Sequence, residues 1–172
     1  MTPSILIGGI GNIFFGDDAF GSEVARRLLA RPWPENVRVA DFGIRGVDLT
    51  FALLENYDAV ILIDAVPRGG PPGTLYTIEP DLDSLDGEAA GIEAHAMHPL
   101  RVLASARAMG ARFGSIYIVG CEPDPETVDP DGPGAMGLSA PVEAAVAEAV
   151  RIVERLVEPW IGLKAMGGTS HG

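Results

Sequence analysis

The stretch DAVILIDAV, residues 58–66, decides the fold class of this chain. Its centre is an unbroken apolar run, which is typical of a strand buried on both faces of a parallel sheet. Such a strand needs helices on both faces of its sheet. A carboxylate, Asp64, stands where the apolar run ends. The stretch therefore predicts an α/β domain with an acidic residue at the end of a buried strand.

Further strands and helices are predicted to alternate on both sides of this stretch. The predicted strands are residues 4–7, which are followed by Gly-Gly, residues 37–41, a hairpin or edge strand in 73–80, and residues 115–123. The predicted helices run from Ala19 to before Pro32, within 43–56, from Pro99 to about Met109, and from near Ser139 to Pro159. This alternation predicts a three-layer α/β fold, with a twisted, mostly parallel sheet flanked by helices on both faces.

Length and composition predict one globular domain. The chain has 172 residues, of which 47% are hydrophobic and 21% charged. We expect a single α/β domain over residues 1–158 and a mobile C-terminal tail over 159–172. Residues 81–97 are acidic and lack a clear hydrophobic period, so they predict a surface loop.

Charge and cysteine content argue against several classes of protein. The formal net charge is -12, which disfavours nucleic acid and favours a basic protein surface or a bound cation as partner. One cysteine, Cys121, allows neither an internal disulfide nor a CxxC metal site, and we expect it to be a small buried hydrophobe. The first residues predict neither a signal peptide nor a membrane span, so we expect a soluble, cytoplasmic protein without membrane contact.

The glycine-rich segment GGIGNIFFGDDAFG, residues 8–21, resembles a nucleotide-binding turn only in its first half. A dinucleotide fingerprint requires a third glycine where this chain has Phe14. A P-loop requires a lysine and a hydroxyl residue where this chain has Asp17 and Asp18. Two negative charges repel a phosphate, so phosphate binding is disfavoured.

Carboxylates follow most of the predicted parallel strands. Because the carboxyl ends of parallel strands meet at one edge of a sheet, these side chains are expected to gather there: Asp17, Asp18, Asp41, Asp64 and Glu122. Their mutual repulsion has to be relieved by a cation or by protons. Structural roles are open for all of them as well: helix capping for Asp17 or Asp18, a turn at Gly43 for Asp41, a cap or a turn before Pro67 for Asp64, and an arginine partner for Glu122.

Histidines complete a possible metal site. The chain has three, His95, His98 and His171, and the first two precede the helix predicted from Pro99. One histidine and two carboxylates, with open positions left over, suit a divalent transition metal. Spacing alone selects neither the metal nor one of the two histidines.

Six segments, taken together and in order, resemble one protein family. They are GIGNIFFGDDAFG, DFGIRGVDL, VILIDAV, AHAMHPLRVLASARAMG, VGCEP and GLSAPVEAAVAEAV, which lie between about Ile5 and Val157. In this order they resemble the hydrogenase maturation endopeptidases, the processing proteases of nickel–iron hydrogenases. The resemblance implies a mainly parallel sheet flanked by helices, in agreement with the pattern above.

The resemblance also implies an activity, a partner and a site. The expected activity is hydrolysis that removes a C-terminal extension from a hydrogenase large-subunit precursor after nickel insertion. The implied metal-binding residues are Asp18, Asp64 and His95, with His98 in reserve. The nickel is expected to come with the substrate, so no tightly bound cofactor is expected. Asp18 and Asp64 are also catalytic candidates, and Asp17 or Asp41 is a candidate base.

Two other classes of function remain open at this stage. A non-catalytic nickel chaperone is expected to bind the free metal tightly, which a ligand set with only one cysteine in the chain does not favour. A nucleotide-dependent enzyme on a doubly wound sheet is expected to bind a dinucleotide, which the missing glycine at Phe14 does not favour.

Overall fold

A computed structural model of the chain describes residues 2–81, 83, 98–129, 131–132 and 134–169, with side chains within the last helix as far as residue 161. The strands are β1 (Ile5–Ile10), β2 (Val37–Gly43), β3 (Ala59–Ala65), β4 (Leu75–Ile78) and β5 (Ser115–Cys121). The helices are a short 3-10 helix (Gly16–Ala19), α1 (Phe20–Leu29), α2 (Gly46–Leu53), α3 (Pro99–Ala108) and α4 (Ala140–Thr169).

The five strands form one sheet in the order β2-β1-β3-β5-β4. β4 runs antiparallel to β5 at one edge, and the other strands are parallel. Apolar residues of α1 and α4 pack on one face of the sheet, and those of α2 and α3 pack on the other. The predicted three-layer α/β fold and the edge position of the fourth strand are both confirmed.

β1 is longer than predicted because its glycines are used for packing and not for a turn. The strand continues through Gly8 and Gly9 to Ile10. A Cβ on Gly9 would clash with the carbonyl oxygen of Gly21 in α1. A Cβ on Gly21 would clash with the carbonyl oxygens of Ile10 and Ile63. Glycine at these positions lets α1 lie directly on β1 and β3.

Gly21→Ala is expected to lower the free energy of unfolding by more than about 3 kcal/mol, because α1 has to move off the sheet. Urea unfolding followed by circular dichroism measures the loss. Gly110→Ala is the control, because a Cβ there meets nothing within 4 Å although φ is +99°. That backbone conformation alone costs an alanine about 1–2 kcal/mol. Equal losses in the two variants would show that close packing of α1 does not depend on Gly21.

The prediction that the last helix ends at Pro159 was wrong. α4 continues through this proline to Thr169, so the predicted domain boundary after residue 158 falls inside the helix. A proline within a helix loses one backbone hydrogen bond and costs about 3 kcal/mol. Trp160 and Ile161 pack against the same core as Val153 and Val157, which extends the apolar face beyond the proline and offsets that cost.

Two predicted segments, the acidic loop and the C-terminal tail, lie partly outside the described residues. Most of the acidic segment 81–97 lies outside the described residues, and so do residues 170–172 of the predicted tail. Among the helices that the structure describes, none is both long and apolar enough to cross a membrane.

Candidate functional site

The strand order of the sheet reverses between β1 and β3. β1 is followed by a connection to β2 on one side, and the chain then returns to β3 on the other side. In open α/β sheets, ligands bind beyond the carboxyl ends of the strands at such a point. The loop after β1 carries Asp18, and β3 carries Asp64 near its end. The topology thus brings the two main site candidates to one place.

Asp64 is a buried carboxylate with little compensation from the protein. It is 7% exposed, and its Oδ1 accepts one hydrogen bond, from the backbone N–H of Ala65 at 2.9 Å. Burial raises the pKa of Asp64 well above its usual value, and the negative charge of Asp18 raises it further. The hydrogen bond from Ala65 acts in the opposite direction but does not outweigh them.

Asp18 is the second acid of this pair. It lies in the short 3-10 helix and is half-buried, and burial raises its pKa against a lowering by the backbone N–H of Asn12. Within the part of the chain that the structure describes, no arginine or lysine forms an ion pair with Asp18 or Asp64. Two interacting carboxylates, one of them buried, favour uptake of a proton or a cation.

Asp17, in contrast, is fully buried and accepts hydrogen bonds from a distant segment. Its Oδ1 accepts from the backbone N–H of Ser139 at 2.7 Å, and its Oδ2 accepts from the Ser139 hydroxyl at 2.7 Å and the Asp124 N–H at 2.8 Å. The backbone N–H of Asp17 donates to Thr127 Oγ1 at 3.1 Å. Ser139 directly precedes α4, so Asp17 ties the loop after β1 to the start of that helix.

Helix capping by the acidic pair was a wrong interpretation. Neither the short 3-10 helix nor α1 has a side-chain hydrogen bond at its N-cap, which is Phe15 in the first and Ala19 in the second. Asp17 is structural, as one member of the pair was expected to be, but it holds the N-terminal side of α4. A carboxylate at that position is also favoured by the helix dipole.

Asp41 has the structural role that its position suggested. Its Oδ1 accepts hydrogen bonds from the Ser22 hydroxyl at 2.8 Å and from the Gly43 N–H at 3.0 Å. Asp41 therefore holds the end of β2 at Gly43 against α1. The hydrogen bonds of Asp17 and Asp41 give both a positioning role. The role of either as a base stays a prediction.

Glu122, at the end of β5, accepts hydrogen bonds from a loop and not from an arginine side chain. It is 3% exposed and accepts from the backbone N–H groups of Arg68 and Gly70 and from the Tyr76 hydroxyl at 2.7 Å. Burial acts to raise the pKa of Glu122, but these hydrogen bonds outweigh it and the pKa is lowered. Sequence reasoning missed Tyr76, because no local pattern links it to Glu122.

The two candidate histidines have different outcomes. His95 lies outside the described residues, so its role as a ligand stays a prediction. His98 caps α3, and its Nδ1 accepts a hydrogen bond from the Leu100 N–H at 3.2 Å. Burial, and to a smaller extent the positive charge of Arg101, lower the pKa of His98. A neutral ring in this arrangement carries its proton on Nε2 and has no lone pair left for a metal. The reserve role of His98 is therefore not favoured.

Two further observations complete the inventory of chemical groups. Over the described residues, no three histidine, cysteine or acidic side chains are grouped so that they hold a metal. Cys121 is fully buried in the core, as predicted. Burial, and to a smaller extent the negative charges of Asp17 and Glu122, raise the pKa of its thiol to about 12. A thiol with this pKa is a poor nucleophile at neutral pH.

Comparison with known proteins assigns the family. A family model described as hydrogenase maturation protease matches residues 22–156. The hydrogenase expression/formation protein HupD of Rhodobacter capsulatus is 34% identical over 148 residues, which cover 86% of this chain and 70% of HupD. A putative hydrogenase maturation protease of Methanocaldococcus jannaschii is 33% identical over 151 residues, covering 87% of this chain and 93% of that protein.

A solved structure agrees with this assignment. The hydrogenase maturating endopeptidase HybD of Escherichia coli superposes with a TM-score of 0.75 at 28% identity, over 91% of this chain and 93% of HybD. The similarity extends over most of the fold of both proteins. The resemblance inferred from the sequence is confirmed: the chain belongs to the hydrogenase maturation protease family, and it is accordingly a peptidase.

Proposed function

We propose that this peptidase removes a C-terminal extension from the large-subunit precursor of a nickel–iron hydrogenase after nickel has been inserted there. The observation that carries the proposal is the pair formed by Asp18 and Asp64 at the carboxyl ends of β1 and β3. Family membership supports the peptidase chemistry, and the acidic pair supports recognition of a cation that arrives with the substrate. His95 is the proposed third ligand.

The acidic pair suits a cation that is met only during the reaction. The charge of Asp18 raises the pKa of Asp64, so without a cation the pair favours protonated states. A nickel ion held by the substrate displaces these protons and relieves the repulsion. Nickel accepts carboxylate and imidazole ligands, and two or three of them leave positions for the ligands of the substrate. A precursor without nickel supplies no such compensation and is expected to bind poorly.

The proposed reaction is hydrolysis of one peptide bond. A water molecule adds to the scissile carbonyl carbon, the C–N bond breaks, and the extension leaves with the new amino group. The remaining large subunit ends in the new carboxylate. A divalent ion next to the bond polarises the carbonyl or lowers the pKa of the attacking water. In this scheme Asp18 and Asp64 fix the position of the substrate's nickel relative to the bond.

The experiment that tests this proposal compares two forms of one precursor. Large-subunit precursor is prepared with and without nickel, mixed with the purified peptidase, and followed by mass spectrometry. We expect a single C-terminal peptide to be released from the nickel-loaded form and none from the nickel-free form. Release from both forms would contradict nickel recognition. No release from the loaded form, together with tight binding of free nickel, would favour a nickel chaperone instead.

A further inference from the structure

Three large apolar side chains lie exposed beside the candidate site. Ile13 and Phe14, in the loop after β1, are 51% and 64% exposed, and Met136, in the segment before α4, is 73% exposed. We call these three residues the apolar patch. Leaving such side chains in water is unfavourable, and exposed apolar groups of this size are typical of contact surfaces.

The backbone beneath the apolar patch is held in place by hydrogen bonds. Gly16 donates its N–H to the carbonyl of Ala135 at 2.8 Å, and Ala135 donates its N–H to the carbonyl of Phe14 at 3.3 Å. Phe15 and Ala135 thereby form an isolated parallel bridge. Because this bridge and the bonds of Asp17 join the two segments, the patch is preorganised, and ordering it on binding costs little.

The charge next to the apolar patch has one sign. Residues 124–137 contain the acids Asp124, Glu126, Asp129 and Asp131 and no lysine or arginine. Glu126, Asp129 and Asp131 are exposed. A partner surface that complements this face has an apolar pocket with basic residues at its rim.

We propose that the apolar patch docks into an apolar pocket, rimmed by lysine or arginine, on the body of the hydrogenase large-subunit precursor. This inference rests on the proposed function and extends it from the cleaved bond to the folded part of the substrate. Phe14 lies four residues before Asp18, so a partner that brings its nickel to Asp18 is placed next to the patch. A second copy of this chain is the weaker occupant, because a symmetric dimer through the patch brings two acidic segments together.

The first test removes the apolar contacts. Phe14→Ala and Met136→Ala are compared with two controls, Leu29→Ala and Met109→Ala. Leu29 and Met109 are 50% and 57% exposed. They lie at the C-terminal ends of α1 and α3, on the side of the sheet where the parallel strands begin. For cleavage of nickel-loaded precursor, we expect each patch variant to raise KM about tenfold with kcat unchanged, and the controls to match wild type. Unchanged KM in both patch variants would overturn the inference.

The second test reverses the charge. The double variant Glu126→Lys, Asp131→Lys is expected to raise KM and to reduce the dependence of KM on salt, because attraction to a basic rim is lost. Glu158→Lys, in the distal half of α4, is the control and is expected to behave as wild type. A lower KM in the double variant would contradict a basic partner.

Direct binding separates this inference from the proposed function. The affinity of wild type and variants for immobilised precursor is measured by interferometry, without cleavage. Binding by wild type that is weakened in the patch variants supports docking even if no peptide is released. Absence of wild-type binding overturns docking. A wild-type dimer that becomes monomeric in Phe14→Ala, by sedimentation, would assign the patch to self-association and overturn it as well.

Discussion

Replacing Asp64 with asparagine is expected to abolish peptide release and to leave the fold at least as stable as wild type at pH 7. Asparagine preserves the shape of the side chain and the hydrogen bond that Oδ1 accepts from Ala65. It removes the negative charge with which Asp64 is proposed to bind the substrate's nickel. Loss of groups that only support a metal ligand costs about 10–100-fold in affinity or activity, so loss of the ligand itself is expected to exceed 100-fold.

The stability of this variant follows from the raised pKa of Asp64. In the folded protein burial holds this pKa well above the usual value of an aspartate, so the folded state binds more protons than the unfolded state at intermediate pH. The contribution of Asp64 to stability is therefore lost as pH rises from about 4 through the folded pKa. Asparagine carries no charge and avoids this loss. The advantage of the variant is expected to be present at pH 7 and to vanish near pH 4.

Two measurements check this prediction together. Precursor cleavage gives the activity, and urea unfolding between pH 4 and pH 8 gives the stability. Asp48→Asn is the matched control, because Asp48 is an exposed carboxylate on α2. It is expected to cleave normally and to show no such dependence on pH. A variant at Asp64 that is less stable than wild type at pH 7 would show that the charge of Asp64 is favourably compensated in the folded protein.

The fold could be predicted because its signals are local. The apolar run in residues 58–66 is long enough to identify β3 without any knowledge of its neighbours. The Pro-Pro-Gly before residues 73–80 identified β4 as an edge strand in the same way. Asp64 was identified as a site candidate because an acidic residue directly after a buried strand lies at the edge where ligands bind.

What could not be predicted depends on residues far apart in the sequence. Asp17 and Asp18 are identical neighbours, and the contacts of Asp17 with Asp124 and Ser139, 107 and 122 residues away, separate their roles. The hydrogen-bond donors of Glu122 include Tyr76 in β4, 46 residues away. Pro159 predicted a helix end by a sound local rule, but apolar packing of Trp160 and Ile161 on the core overrides it. In each case long-range packing decides between local alternatives.

Among changes of polar residues in the segment between β1 and α1, Asp17→Ala is expected to be the most destabilising. It leaves the N–H of Asp124 and the N–H and hydroxyl of Ser139, which are partly buried, without their acceptor. Each unsatisfied buried donor costs about 1–3 kcal/mol, so a total loss of about 3 kcal/mol or more is expected. For a domain of this size that corresponds to a Tm lower by about 6–12 °C. Thermal unfolding by circular dichroism measures it.

A cycle with Ser139 separates a structural link from a catalytic role of Asp17. Ser139→Ala removes only the hydroxyl donor and is expected to cost about 1 kcal/mol. If the two residues stabilise the fold through each other, the double variant loses less than the sum of the single losses. Cleavage per folded molecule is expected to fall in Asp17→Ala, because Asp18 follows it directly and loses its support. Additive losses, or a fully stable Asp17→Ala that does not cleave, would contradict the structural role. The second of these outcomes would favour Asp17 as the base, since a group that acts only in catalysis is not needed for stability.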